Sequence, residues 1–433
     1  MVVRITFVNG LYPPHGAAGA ENSLRMLAGS LAARGHSCSV VTLNPGPMPA
    51  EGEVDGIVVD YLPLANVLWP HGPRRPRALR PMFQFFDAFN PVMQRRLAGV
   101  LATRRPDVVH CHNLQGFSAA AWVAAVRLGV PVVQTLHDYY VGCPRSAMWR
   151  PGDGNCTRPC VECRIVSLPR RRLSNLPAAV TAVSHRMFDR LALAGAFPDA
   201  VTGVQPVRII RGNNPSRSPP DPAPTDVRLR LGFMGRLEPT KGLELLLDAM
   251  RGLPEEQVQL TIAGSGRPDD VARLRARADG CANIMFLGHV RPDDFFPNLD
   301  LLVVPSVWED PFPRVFHEAL AYGVPSLVSP LGGLPEVIRP GQTGFVARAA
   351  DAPALREALA ALLDKGWDRA GMRTRCRDAA TAYDAIRIAG QYEAVLQAAA
   401  SRRPIPAGAG EVWRPPPGMP HARDIADEVR YGT

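Results

Sequence analysis

The feature that most constrains this chain is an alternation of short, almost wholly apolar runs with amphipathic stretches, which plays through once, breaks, and starts again. In the first half VVRITFVN (2–9), CSVVTL (38–43), DVVHCH (107–112), PVVQTLH (131–137), AAVTAVS (178–184) and VRIIRG (207–212) read as strands. Helical stretches lie between them, among them Ala20 to Arg34 and Ser118 to Leu128. Strands spaced by helices make βαβ units and a parallel sheet, and near-continuous Val/Ile runs fit strands covered on both faces. The pattern predicts an α/β fold.

The break is NNPSRSPPDPAPTD (213–226), rich in Pro, Ser and Asp as linkers are. Beyond it RLGFMG (230–235), QLTIAG (259–264), IMFLG (284–288), LLVVPS (301–306) and PSLVS (325–329) read as a second set of strands. The expected organisation is an N-terminal domain over 1–212, a linker over 213–226 and a second α/β domain over 227–384. A helix over 385–400 is expected to pack back on the N-terminal domain, and the Pro-rich tail 401–433 to lack a core of its own. A length of 433 residues agrees with two cores. Open α/β sheets bind ligands outside the carboxyl ends of their strands, so the loops that follow strands are where function is sought.

Charge is unevenly placed. The net charge is +9, while residues 1–216 carry 23 Arg and 12 acidic residues, 23 − 12 = +11, leaving −2 for the remainder. A basic half suggests an anionic partner: a membrane surface, a phosphate-bearing lipid or nucleic acid. The plainer reading is that arginines keep the surface soluble. The stretch Arg74–Arg105 interleaves basic residues with Phe83, Phe85, Phe86 and Phe89, a composition suited to an interfacial membrane contact or to a packed helix with a solvated face. Arg170, Arg171 and Arg172 are candidates for the same surface. There is no run of eighteen apolar residues, and MVVRITFVNG reads as a first strand and not as a signal peptide. The expected location is the cytoplasm, at the inner face of the membrane if the basic surface docks there.

Only two of the 49 basic residues are lysines, Lys241 and Lys365. Lys241 lies in Gly235-Arg-Leu-Glu-Pro-Thr-Lys-Gly242, between a strand and a helix beginning near Leu243. A helix N-terminus with Arg236 and Lys241 beside it suits a diphosphate. A second motif runs from Asp310 to Glu318, with a helix starting near Phe312. Carboxylates there can accept hydrogen bonds from sugar hydroxyls, although each taken alone reads as an ordinary helix acid. In the first half, Gly16 and Gly19 lie in the turn between the first strand and first helix, where backbone N–H groups can approach a ligand. His137 ends a strand and enters a loop, a site-forming position, whereas His110 and His112 read as structural.

Four cysteines, Cys143, Cys156, Cys160 and Cys163, fall within 21 residues as C-x12-C-x3-C-x2-C. Four thiolates at short spacing suit a structural zinc. Disulfides and an iron–sulfur cluster are the alternatives, the former disfavoured in a cytoplasmic chain.

Taken together, GRLEPTKG, AGSG, PSVWEDPFPRVFHEALAYGVP and GGLPEVIRPGQTGF resemble the donor half of family 4 of the retaining glycosyltransferases, strongly over 230–350 and more loosely in the N-terminal domain. The resemblance implies a GT-B fold, two Rossmann-like domains facing each other across a cleft. It implies that Arg236 and Lys241 grip the donor pyrophosphate and that Glu318 binds the ribose. Asp310 stands where relatives use Glu to contact the donor sugar, with Glu309 beside it. Backbone groups of Pro311, Phe312 and Pro313 line the sugar pocket, Pro313 at a position relatives commonly fill with Gly. Val290 meets the base through the main chain, Gly19 belongs to a loop facing the donor phosphate and the acceptor, and His137 stands against the donor sugar. The implied catalytic set is His137, Arg236, Lys241 and Asp310. The implied reaction moves a sugar from a nucleotide-diphosphate sugar to a glycan, lipid-linked or other acceptor with retention, and no cofactor is required for the chemistry. A DxD-type metal pair is not evident, nor is a carboxylate nucleophile. The alternatives are a GT-B sugar-nucleotide epimerase, a non-catalytic sugar-nucleotide-binding protein (motivated by Asp310 and Pro313), and a basic nucleic-acid-binding module.

Overall fold

The computed structural model describes residues 1–16, 19–70, 77–197, 202–204 and 228–403. They form two compact units, one from residues before 212 together with those from Asp384 on, the other from the residues between.

The first unit contains strands β1 (Arg4–Asn9), β2 (Ser37–Asn44), β3 (Ala50–Val54), β4 (Ile57–Pro63), β5 (Val108–Cys111), β6 (Val132–Leu136), β7 (Trp149–Arg150), β8 (Gly154–Asn155), β9 (Ala179–Ala182) and β10 (Thr202–Val204). Its helices are α1 (Gly19–Ala33), α2 (Arg80–Ala88), α3 (Pro91–Arg104), α4 (Ala120–Arg127), α5 (Val161–Val166), α6 (Leu168–Arg172) and α7 (His185–Leu193). Eight strands form one sheet in the order β10-β9-β6-β5-β1-β2-β4-β3, and β7 and β8 form a separate ribbon. Every residue of β5, β6 and β9 is buried, which is what their unbroken apolar runs require of strands covered on both faces. Within the eight-stranded sheet the one antiparallel pair among the described residues is β3 with β4. Its turn is Asp55-Gly56, with φ of 53° and 79°, the left-handed pair that a tight hairpin needs.

The second unit contains β11 (Leu229–Met234), β12 (Val258–Ala263), β13 (Ile284–Gly288), β14 (Leu301–Val304), β15 (Ser326–Val328) and β16 (Gly344–Val346). Its helices are α8 (Leu243–Met250), α9 (Pro268–Arg277), α10 (Pro292–Phe295), α11 (Arg314–Ala321), α12 (Ala352–Lys365) and α13 (Arg369–Ala380). The sheet is parallel throughout, in the order β13-β12-β11-β14-β15-β16. The winding reverses between β11 and β14, so the loops leaving their carboxyl ends part to opposite sides and open a crevice. Leu231, Phe233, Leu247, Leu260, Val303 and Leu359 lie in one core cluster beneath it.

The last helix, α14 (Ala385–Ala400), belongs to the first unit, where it packs on α1, β5 and β6. Its Glu393 takes Arg34 at 2.5 Å and the His36 ring at 3.1 Å, and its Tyr392 is fully buried. The expected strand 207–212, the linker 213–226 and the tail from 404 lie outside the described residues. No helix among the described residues is long and apolar enough to cross a membrane.

The edge of the second unit opposite the crevice is held by a buried carboxylate. Asp300 precedes β14 and accepts from Arg230 Nε at 3.1 Å, Arg230 Nη2 at 2.9 Å and Arg373 Nη2 at 3.3 Å. Burial alone would raise its pKa, but the hydrogen bonds from Arg230 hold it below the usual carboxylate value. Removing one member of such a buried set strands the others. Asp300→Ala is expected to lower the unfolding free energy by about 3 kcal/mol, measured by urea denaturation, because it leaves the buried Arg373 without its carboxylate. An unchanged midpoint would contradict this role.

Candidate active site

The crevice of the second unit is built from loops that follow β11 and β14. After β11 the chain runs through Gly235–Gly242 into α8, which begins at Leu243. Gly242 has φ of 70°, and a Cβ there would lie 1.8 Å from the Pro305 carbonyl oxygen. Only glycine lets this loop press against the one after β14. The contact is fastened by the Val307 N–H, which donates to the Thr240 carbonyl at 3.0 Å. It brings Lys241 Nζ to 2.5 Å from Asp310 Oδ2, with Nζ 5.5 Å from the centre of the Trp308 ring. Both side chains are largely shielded from solvent. Asp310 is fixed from the other side by Gly333, whose N–H donates to its carbonyl at 3.0 Å. Gly332 beside it has φ of 75°, and a Cβ there would lie 2.2 Å from the same carbonyl oxygen.

Arg236 is the accessible cation of the loop, 72% exposed and 3.0 Å from Glu238 Oε1. Glu318 lies in α11 and pairs with Arg314 one turn earlier at 3.1 Å. Arg236, Lys241 and Arg314 thus each face a carboxylate. Helix α11 starts at Arg314, two residues after the expected start, because Pro313 disfavours a helical Phe312 and itself takes an extended conformation. Phe312 is buried against Phe316, Tyr383 and His317, the last at 4.6 Å between ring centres. Its side chain is therefore core, and only its main chain can face a ligand. Pro311 and Pro313 have no N–H, so Phe312 supplies the one main-chain donor of that tripeptide. Val290 stands two residues beyond β13, half-buried at the sheet edge. Arg236, Lys241, Val290 and Asp310 thus occupy loops at the carboxyl edge of one parallel sheet.

In the first unit the winding reverses between β1 and β5. Gly19 opens α1 after β1, and its carbonyl accepts from Ser23 Oγ at 2.9 Å. His112 follows β5 and His137 follows β6. His112 Nδ1 lies 2.8 Å from His137 Nε2, with the rings stacked at 5.1 Å. His110 lies 4.2 Å from His112 between ring centres and bonds Thr135 Oγ1 at 2.8 Å. Sequence reasoning set His110 and His112 aside as structural. The signal that links them to His137 is the two-residue spacing of His-Cys-His, which places both rings on one face of β5. Burial, with a contribution from His137, pushes the His110 pKa down to about 3. Burial also holds His112 well below the usual value, with His110 and His137 adding to it. Both rings are neutral at physiological pH, so in the His112–His137 bond one nitrogen donates and the other accepts.

The cysteine loop is ordered around α5. Cys160 caps this helix, its Sγ accepting from the Cys163 N–H at 3.4 Å and from Arg150 Nη2 at 2.7 Å. A hydrogen bond from Cys163 lowers the Cys143 pKa to about 6, and Cys163 is raised in turn. Burial raises Cys156, with the charges of Cys143 and Cys160 nearby. All eight cysteines are free. Among the described residues no group of three or more His, Cys, Asp or Glu is arranged to hold a metal ion. Cys143 and Cys160 bond Cys163, and Cys160 also takes Arg150 and the start of α5. One expectation for the basic surface is corrected. Arg170 is buried against the Tyr140 ring at 4.2 Å and donates to the Tyr140 carbonyl, and Arg171 donates to the carbonyls of Ala194 and Arg164. Of the three arginines only Arg172 is fully exposed.

Residues 228–365 match the family model described as Glycosyl transferases group 1, and residues 18–206 match the Glycosyl transferase 4-like domain. The chain is 28% identical over 338 residues to an uncharacterized 42.6 kDa protein in the cps region of Klebsiella pneumoniae, covering 78% of this chain and 88% of that one. It is 31% identical over 316 residues to a D-inositol 3-phosphate glycosyltransferase of Xylanimonas cellulosilytica, covering 69% and 73%. Among solved structures, Anabaena Alr3699/HepE in complex with UDP-glucose matches with a TM-score of 0.66 at 20% identity, over 92% of this chain and 100% of that one. Two Rossmann-like units, each with a sheet whose winding reverses at a switch point, define a GT-B protein. Within that class the chain belongs to family 4, and it is a glycosyltransferase.

The buried histidines give the first unit a pH dependence of known sign. Folded His110 stays neutral down to about pH 3, whereas an unfolded histidine takes a proton near 6.5. Between these values the unfolded state binds more protons, so this contribution is complete above pH 6.5 and is lost as pH falls towards 3. Urea midpoints are expected to fall between about pH 7 and about pH 5, and to fall less steeply in His110→Gln. Equal slopes in the two proteins would contradict the assignment.

Proposed function

We propose that this chain is a retaining glycosyltransferase that moves a sugar from a nucleotide-diphosphate sugar onto a glycan or lipid-linked acceptor, with no metal ion in the chemistry. The observation that carries this reading is Lys241, paired with Asp310 at the switch point and one residue before the glycine that precedes α8. As the bond from the anomeric carbon to the diphosphate breaks, negative charge grows on the leaving group, and fixed cations there stabilise the transition state. Arg236 and Lys241 bind the diphosphate, and Asp310, released from Lys241, accepts a hydrogen bond from the donor sugar. Glu318 binds the ribose, Val290 meets the base through its main chain, and Pro311, Phe312 and Pro313 border the sugar through theirs. His137, oriented by His112, faces the donor sugar, and Gly19 opens the loop towards donor phosphate and acceptor. The acceptor hydroxyl attacks on the face the diphosphate leaves. Its oxygen bonds the anomeric carbon while its proton passes to the departing phosphate oxygen, which retains configuration without a carboxylate nucleophile.

The UDP-glucose complex of the Anabaena protein makes UDP-sugars the first donors to test. Purified protein is screened for binding and slow hydrolysis of UDP-, GDP-, ADP- and TDP-sugars. One preferred donor with turnover is the expected result; binding without turnover supports a non-catalytic protein, and release of an isomerised nucleotide sugar supports an epimerase. Lys241→Ala is expected to lower kcat/KM by about 10²-fold or more with an unchanged unfolding midpoint, the usual cost of removing one preorganised charge. Unaltered kinetics would overturn the phosphate assignment.

For the cysteine loop we propose a structural zinc on Cys143, Cys156, Cys160 and Cys163. The chemistry of four thiols at this spacing supports it. Metal analysis of protein purified without chelator is expected to give about one zinc per chain, and about none in Cys156→Ser/Cys160→Ser. A metal-free native protein would leave the loop held by its hydrogen bonds alone.

A further inference from the structure

Large apolar side chains left in solvent are mostly scattered over this protein, but three helices of the first unit carry a concentration of them. Helix α2 buries Phe83 and Ala88 and leaves Phe85 74%, Met82 45% and Phe86 39% exposed. Helix α5, at the end of the cysteine loop, leaves Val161 72% and Ile165 66% exposed. Helix α6 adds Leu168 at 38%. Both α5 and α6 pack against α2, so these side chains stand on neighbouring helices.

Charge around them is predominantly positive. Arg80 at the start of α2, Arg164 on α5 and Arg172 on α6 are exposed, and none is in an ion pair among the described residues. The acids on α2 and α5 are already engaged. Asp87 is buried and accepts from Tyr140 OH and the Gly116 N–H, while Glu162 faces Arg145 at 3.9 Å. Aromatic and aliphatic side chains standing out between unpaired arginines fit an interface whose outer layer is anionic and whose inner layer is apolar.

We infer that the α2–α5–α6 face docks the first unit on a lipid bilayer bearing anionic headgroups, with Phe85, Val161 and Ile165 entering the headgroup–acyl boundary and the arginines meeting lipid phosphates. A second copy of this chain is a poorer occupant, because two such faces would set arginine against arginine. A polynucleotide would engage the arginines and leave the apolar tips without a partner. The inference stands apart from the donor chemistry, since none of these side chains belongs to the proposed catalytic or donor set.

The full chain is sedimented with vesicles of phosphatidylcholine alone and of phosphatidylcholine mixed with phosphatidylglycerol. Binding is expected to the mixed vesicles and to be at least about tenfold weaker to the neutral ones. Phe85→Ser/Ile165→Ser is expected to lose at least about tenfold in vesicle affinity while keeping its unfolding midpoint and donor turnover, since both residues are exposed. Arg164→Gln/Arg172→Gln is expected to lose about fivefold per arginine on mixed vesicles. No binding, equal binding to both compositions, or wild-type binding by both variants would overturn the inference. So would a dimer that dissociates in Phe85→Ser/Ile165→Ser, or RNA binding that outlasts this substitution in place of vesicle binding.

Discussion

The donor unit depends on one contact, Lys241 to Asp310 at 2.5 Å. It joins two loops that the parallel sheet sends in opposite directions, beside the hydrogen bond from the Val307 N–H to the Thr240 carbonyl at 3.0 Å. The pair forms only because Gly242 lets one loop lie against the Pro305 carbonyl and Gly332 lets a third loop close on the Asp310 carbonyl. Backbone at three strand ends therefore fixes where a single ammonium group stands. Lysine suits this place better than arginine, since a compact charge can pivot between a carboxylate and a phosphate over a short distance.

The same contact shapes the electrostatics. Arg236 with Glu238, Lys241 with Asp310, and Arg314 with Glu318 leave the crevice close to neutral although it holds three cations. In the reaction we propose, a phosphate takes the place of Asp310 on Lys241, which frees that carboxylate for the donor sugar. In the first unit the histidines follow a different logic. His110 and His112 are buried and kept neutral, and their worth is in holding the ring of His137 by a hydrogen bond and a stack.

Much of this was legible in the sequence, for physical reasons that can be named. Runs rich in Val and Leu located β5, β6 and β14 because strands covered on both faces have little polar side to show. The start of α8 at Leu243 followed from the glycine before it, and the rarity of lysine drew notice to Lys241. Other features were hidden. The Asp55-Gly56 hairpin was passed over although its dipeptide is a turn signal, because β3 is too polar to read as a strand. The start of α11 was misplaced because the effect of Pro313 on Phe312 was not weighed. That Lys241 binds Asp310, 69 positions away, is a long-range contact that no local pattern carries. Arg170 looked like surface charge, yet it is buried because Tyr140 offers both a ring face and a carbonyl.

The central claim is that a donor diphosphate takes Lys241 from Asp310 at the switch point of the second unit. The most direct measurement is a crystal structure of this chain with a bound nucleoside diphosphate. The account predicts a phosphate oxygen within hydrogen-bonding reach of Lys241 Nζ and of Arg236, with the Lys241–Asp310 contact lengthened beyond its 2.5 Å. A diphosphate bound elsewhere, with that contact intact, would contradict it.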